Sequence, residues 1–271
     1  MNNSTVIQRN NVRVLGRADG PALLLVQGFG CDQVIWNRIL PFFTDLYKVV
    51  LFDHAGTGGA DPEAYDPAKY ASLGGYLTDL EEVLEVLDLR DAAVVGHSVA
   101  GMMALAAAVN NPRIARLVLV CTSACYLSDD GYTGGLPMEA LDGVLAAVES
   151  NYPLWAAGAA AGIAGAPAGS DLSTELADQM CRLNPDFVKD FLRMSFTADV
   201  RHLLPKVAAP TLILQTQADP LTPGPASRYL HEHLPDSAVH KLAVHGHMPH
   251  INSPRTTAEA ILQHLEAVPR G

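Results

Sequence analysis

Ser98 stands in Val94-Val-Gly-His-Ser-Val-Ala-Gly101, directly after one apolar run and directly before an alanine- and methionine-rich one. A strand, a serine and a helix in succession, with small residues two before and two after the serine, form the pattern of a nucleophile elbow. The sharp turn exposes the hydroxyl above the sheet and brings strand and helix together, so bulky side chains do not fit at the flanking positions. Gly96 and Ala100 fill them; alanine stands where glycine is usual, and Gly101 follows one residue later. A serine hydroxyl is a weak nucleophile near neutral pH. Acyl transfer therefore requires a base within hydrogen-bond reach and an acid that orients the base, and after an elbow of this kind the chain order is serine, acid, histidine.

The acid is expected at Asp219. Thr211 to Gln215 reads as a buried strand and runs into Thr-Gln-Ala-Asp219-Pro. This puts the carboxylate just beyond a strand's carboxyl end, where sites on parallel sheets collect; taken alone, Asp-Pro is equally a turn signal. The base is expected at His247, in His245-Gly-His-Met-Pro-His250. Gly246 permits a tight turn that swings the imidazole over the sheet edge. His245 is expected to end the strand and His250 to cap or be solvated. No cysteine or carboxylate is spaced with these histidines as metal ligands would be, and serine chemistry needs no metal or cofactor, so none is expected. Two backbone N–H groups should form an oxyanion hole: that of Val99, after the nucleophile, and that of Phe29 in Gln27-Gly-Phe-Gly-Cys31. Asp53-His-Ala-Gly-Thr-Gly-Gly lacks the lysine ending of a phosphate loop and the full dinucleotide pattern, and reads as a structural turn near the site.

These residues need a parallel sheet to position them. Ala22 to Val26, Tyr47 to Phe52, Ala92 to Val95, Leu117 to Val120, Thr211 to Gln215 and Val239 to Val244 are short apolar runs, as expected of strands buried on both faces. Helical periodicity lies between them, in Leu73 to Leu89 and Met102 to Val109. Strand–helix alternation predicts a mostly parallel sheet flanked by helices. Residues 126–200 break the pattern. They show no convincing strand but do show helical stretches at Met138 to Ser150 and Asp186 to Phe196, with an alanine- and glycine-rich segment, Ala156 to Gly169, read as packed helix. The expected organisation is a core from 1–125 and 201–271 with a helical insertion at 126–200.

The 271 residues suffice for one large α/β domain with such an insertion. With 49% hydrophobic and 17% charged residues a sizeable core is expected. A formal charge of −11 argues against nucleic-acid binding, and no basic cluster invites an anionic membrane. Cys31, Cys121, Cys125 and Cys181 form no CxxC pair and read as reduced thiols. No secretory signal or membrane-spanning run is visible, which leaves the cytoplasm as the expected location.

Together these motifs resemble the α/β-hydrolase branch that contains RsbQ, a bacterial stress-signalling hydrolase, and the plant strigolactone and karrikin receptors. The resemblance runs from about Ala22 to about Leu265. It is most specific in Gln27-Gly-Phe-Gly-Cys-Asp-Gln33 with Trp36, Leu51-Phe-Asp-His-Ala-Gly56, Gly96-His-Ser-Val99, Cys125-Tyr-Leu-Ser-Asp129 and Gly246-His-Met-Pro-His250. It implies a triad of Ser98, Asp219 and His247, oxyanion donors at Phe29 and Val99, and a helical lid after the strand ending near Cys121. The lid would roof an apolar pocket lined by Tyr126, Trp155 and Phe196, with Phe29 and Met248 near the floor; His97 and Ala159 complete the expected binding set. The run from Ala156 to Gly162 departs from the aromatic-rich relatives and implies a roomier pocket.

The resemblance also implies two kinds of function. One is hydrolysis of a small, neutral, apolar ester or lactone. The other is a slow ligand sensor acting through a signalling partner protein. An aspartate in place of Ser98 would be needed for haloalkane dehalogenation. Cofactor-free oxygenation, C–C bond hydrolysis and use of the fold as a scaffold without chemistry stay open at the level of sequence, though an intact triad argues against the scaffold.

Overall fold

The structure, a computed structural model, describes residues 3–267. A short helix, α1 (Asn3–Arg9), precedes an edge strand, β1 (Arg13–Gly16). Then come β2 (Ala22–Val26), β3 (Lys48–Leu51), α2 (Leu73–Val86), β4 (Ala92–His97), α3 (Val99–Ala108) and β5 (Ile114–Val120). Two two-residue strands, β6 (Leu127–Ser128) and β7 (Leu136–Pro137), lead into four helices: α4 (Leu141–Ser150), α5 (Tyr152–Ala164), α6 (Asp171–Cys181) and α7 (Pro185–Thr197). The chain returns through β8 (Thr211–Ala218), α8 (Gly224–His233), β9 (Ser237–His245), α9 (Pro249–Asn252) and α10 (Pro254–Ala267).

The main sheet has seven strands in the order β1-β3-β2-β4-β5-β8-β9. All neighbours pair in parallel except β1, which runs antiparallel to β3 at the edge. Every residue of β2 and β4 is buried, as both-face coverage by helices requires of continuous apolar strands. The strand order reverses at β2 and β4, so their carboxyl ends border the crevice where ligands of open parallel sheets bind. Among the described residues no helix is long and apolar enough to cross a membrane. Cys31, Cys121 and Cys125 are buried, Cys181 is exposed, and all four are free thiols.

Three sequence expectations change. Residues 126–200 do contain strand, the β6–β7 pair joined by Leu127↔Leu136 and Ser128↔Pro137; a two-residue strand is too short to leave an alternating pattern. Helix α5 stops at Ala164 rather than running to Gly169, because Gly165 adopts the left-handed conformation, φ 67°, that ends helices. The strand expected over Tyr47 to Phe52 is confined to Lys48–Leu51.

Strand β4 and helix α3 approach so closely that a Cβ at Gly96 would lie 2.6 Å from both the Ala100 carbonyl oxygen and the Gly101 nitrogen. Neither backbone atom can move without opening the turn at Ser98. Gly96→Ala should therefore lower unfolding free energy by about 1–3 kcal/mol, as overpacking does, measured by urea denaturation. A variant as stable as the parent would show that the turn yields freely.

Candidate active site

Ser98 occupies the junction of β4 and α3 at φ 57°, ψ −128°. A positive φ is uncommon for any residue with a Cβ and costs free energy unless the surroundings hold it. The Ser98 amide donates to the Val120 carbonyl at 2.9 Å, and the Thr122 hydroxyl donates to the Ser98 carbonyl at 3.1 Å. Both clamps come from β5 and the residues after it. Thr122 also explains Gly101, where a Cβ would fall 2.1 Å from Thr122 Oγ1. The glycine one place late in the serine motif is thus set by the neighbouring strand.

The two partners reach Ser98 from the far end of the chain. His247 Nε2 lies 2.8 Å from Ser98 Oγ. On the other side of the ring, Nδ1 lies 2.9 and 2.8 Å from the two carboxylate oxygens of Asp219. Asp219 follows the last residue of β8, and its Oδ1 also accepts from the amides of Leu221 at 2.8 Å and Thr222 at 3.0 Å. These bonds fix the carboxylate. His247 is held through its backbone. Its amide donates to Ile163 of α5 at 2.8 Å, and its carbonyl accepts from His97 Nε2 at 2.9 Å. Gly246, at φ 88°, turns the chain after β9, while the Thr216 hydroxyl donates to its carbonyl at 2.7 Å. This line of hydroxyl, imidazole and carboxylate can pass a proton off the hydroxyl and leave the resulting imidazolium facing an anion.

Gly28 packs directly on Ser98: a Cβ there would lie 2.8 Å from Ser98 Cβ. The loop carrying Phe29 is thereby brought beside the hydroxyl. Val99 opens α3, so its N–H is among those lacking an intrahelical acceptor. The Asp53 turn anchors this loop, since the Asp53 carboxylate accepts from the amides of Gln33 at 2.8 Å and Gly59 at 2.9 Å and from Asn11 Nδ2 at 2.7 Å.

A cavity of about 300 Å³ opens above Ser98. Phe29, Tyr126, Trp155, Ala159 and Phe196 line it, together with Gly158, Gly162 and Ile163 of α5. Two residues of the expected binding set, His97 and Met248, are not among those that line the cavity. His97 is buried, its ring 4.9 Å from that of His247 and 4.7 Å from that of His250. Met248 is buried at the start of α9 and does not reach the cavity wall. His250 is neither a cap nor solvated. It is fully buried, with its ring 4.4 Å from that of Trp36. Burial, together with the neighbouring His247, pushes its pKa down to about 3, and burial pushes that of His97 well down as well.

Two further side chains stand against the three: Tyr126, expected on the pocket wall but not as a partner of the hydroxyl, and Cys121, which no motif marks. The Tyr126 hydroxyl lies 3.0 Å from Ser98 Oγ. Cys121, at φ 52°, brings its thiol to Asp219 and His247, one side-chain atom from each of the three lying within 4.8 Å of the others. Burial holds this thiol protonated, and His247 Nδ1 and Asp219 are already bonded to each other. Both residues follow β5, whose carboxyl end sits beside β4 and β8 in the sheet, a neighbourhood that spacing along the chain does not reveal.

Residues 23–260 match the model of the alpha/beta hydrolase family. The chain is 36% identical over 262 residues to the karrikin insensitive 2 receptor CA of Petunia hybrida, covering 96% of this chain and 97% of that protein. It is 34% identical to the strigolactone esterase D14 of Arabidopsis thaliana, with 98% and 99% covered. A hydrolase from Oleispira antarctica superposes with a TM-score of 0.94 at 31% identity, covering 99% of this chain and 98% of that one.

The buried histidines give stability a pH dependence of definite sign. Unfolded, His250 takes up a proton near its ordinary value of 6.5; folded, it does so only at about 3. Between these values the unfolded chain binds the extra proton, so stability is intact above 6.5 and falls as the pH drops, by up to about 1.4 kcal/mol per pH unit for one group. His97 acts in the same sense. His250→Phe keeps a ring on Trp36 and should flatten this acid limb in denaturation curves recorded from pH 7 to pH 4. Parallel limbs in parent and variant would contradict the assignment.

Proposed function

The chain belongs to the alpha/beta hydrolase family, and on that premise we propose that it cleaves small, neutral esters or lactones through an acyl-enzyme at Ser98. The observation that carries this reading is the continuous line from Ser98 Oγ through both nitrogens of His247 to Asp219, opening into a cavity lined by aromatic and small apolar residues. Ser98 attacks the carbonyl carbon while its proton passes to His247 Nε2, and Asp219 steadies the imidazolium. The N–H groups of Val99 and Phe29 receive the oxyanion. His247 then protonates the leaving oxygen and activates the water that releases the acid. The helices of 126–200 serve as the lid. Their apolar wall favours neutral substrates, because a charge moved there would lose its water without gaining a partner.

A second reading is favoured by the similarity to a protein named as a karrikin receptor: a ligand sensor that turns over slowly and acts through a partner protein. Mass spectrometry of the intact protein after incubation with ester and lactone panels separates the two. Both readings put an acyl adduct on Ser98; fast loss marks an enzyme and persistence a sensor. Ser98→Ala should abolish the adduct and lower ester cleavage on the order of a thousandfold or more. Cleavage retained by that variant would remove Ser98 from the mechanism.

Pocket size gives a further expectation. Ala159 lies on the cavity wall between Gly158 and the rest of the small-residue stretch. Each acyl methylene that fits should contribute up to about 0.8 kcal/mol. Ala159→Phe should therefore reject long p-nitrophenyl esters first and spare the acetate. The same chain-length profile in both proteins would show that this side chain does not limit the pocket.

A further inference from the structure

Ser98 Oγ has two hydrogen-bond neighbours of different chemistry, His247 Nε2 at 2.8 Å and the Tyr126 hydroxyl at 3.0 Å. A serine hydroxyl has one proton to give and can accept from others. When that proton points at His247, as proton transfer requires, the second contact closes only with the tyrosine as donor. Tyr126 is well placed for this. Its ring is buried and stands edge-on to Phe196, with centroids 6.0 Å apart, and its backbone carbonyl accepts from Leu136 at 2.9 Å. Burial raises the phenol's pKa above its ordinary value, so it keeps its proton through the neutral range. Another hydroxyl on the wall, that of Ser195, is spent on the Phe191 carbonyl at 2.7 Å.

Building on the serine hydrolase reading above, we propose that Tyr126 is a catalytic residue that shortens the life of the acyl-enzyme by hydrogen-bonding Ser98 Oγ as it departs from the acyl carbon. In the acyl-enzyme Oγ is an ester oxygen, whose lone pair is drawn toward the carbonyl and accepts weakly. During release, water adds to the acyl carbon and gives a proton to His247 Nε2. The tetrahedral intermediate then collapses: the carbon–Oγ bond breaks, its electron pair goes to Oγ, and Oγ takes the proton back from His247. Tyr126 keeps its own proton throughout. Its hydrogen bond strengthens as charge gathers on Oγ, and an interaction that is stronger in the transition state than before it accelerates that step. Acylation gains nothing comparable, because the resting serine already accepts the same bond. One hydroxyl thus acts mainly on the second half of the reaction.

The test compares the parent with Tyr126→Phe on p-nitrophenyl acetate. Stopped-flow release of p-nitrophenolate reads acylation, the steady state reads turnover, and intact mass reads the acetyl adduct on Ser98. The ring and its contact with Phe196 remain in the variant, and equal thermal midpoints check this. Steady-state turnover should fall roughly tenfold or more, the size of a lost hydrogen bond to a charged group, while the burst rate stays within about twofold and the adduct accumulates. A burst rate and a steady state that fall together would overturn the proposal, since Tyr126 would then only shape the site. Unchanged kinetics would overturn it as well. Ester cleavage retained by Ser98→Ala would instead overturn the serine hydrolase reading on which it rests.

Discussion

The backbone at Ser98 is folded into a conformation that a residue with a side chain adopts only under constraint, φ 57° and ψ −128°. Such a conformation costs on the order of 1–3 kcal/mol and persists where its surroundings over-determine it. Here the surroundings are the parallel sheet itself. The Ser98 amide is held by β5, its carbonyl by Thr122 beyond β5, and the close β4–α3 approach leaves no room for a side chain at Gly96. The same sheet delivers the other two groups, because β8 lies next to β5 and β9 next to β8. Asp219 follows one strand and His247 the other, so adjacency in the sheet becomes adjacency in the site. If β5 were lost, the turn at Ser98 would relax and the path between Ser98 and Asp219 would go with it.

Most of this frame can be read from the chain, because the features that build it are periodic and local. Each expected strand is present, Ala22–Val26 with its bounds unchanged, since a run of fully buried apolar residues between turn signals has few other uses. Strand β1 escaped notice: four residues, Arg13–Gly16, half of them exposed, leave no apolar run. Helix α6 escaped because its mean character is polar and only Ser173, Leu176 and Met180 are buried. In the site, Ser98, Asp219 and His247 announce themselves through motifs at strand ends. Tyr126 and Cys121 approach the triad through lateral strand order, and the burial of His250 depends on Trp36, far away in the chain. Relations of that kind belong to tertiary packing and leave no spacing to read. His97, part of the expected binding set, is buried and hydrogen-bonds the backbone carbonyl of His247 instead.

Helix α5 carries two sets of small residues with different roles. Ala156, Ala160 and Ala164 recur every four residues and are buried, so they let the helix lie close on its neighbours. Gly158, Ala159 and Gly162 face the cavity. Space around the two glycines is open, with nothing within 4 Å of an added Cβ. The first set fixes where the helix lies and the second fixes how much volume it leaves above Ser98. A substitution in one set should therefore tell on stability and in the other on ligand size.

The carboxyl end of α5 is joined to the histidine loop at three points. The His247 amide donates to the Ile163 carbonyl at 2.8 Å, Asn252 Nδ2 bridges the carbonyls of Ala164 and His245 at 2.7 Å each, and Gly165 packs against His245. Ile163 also lines the cavity. The roof of the pocket and the seat of the imidazole are thus a single mechanical part. Ile163 faces the cavity and accepts from the His247 amide, so a displacement of this helix end is also a displacement of the imidazole's support. Free-energy coupling between two positions is reciprocal, so whatever steadies this helix end also steadies the loop that carries His247.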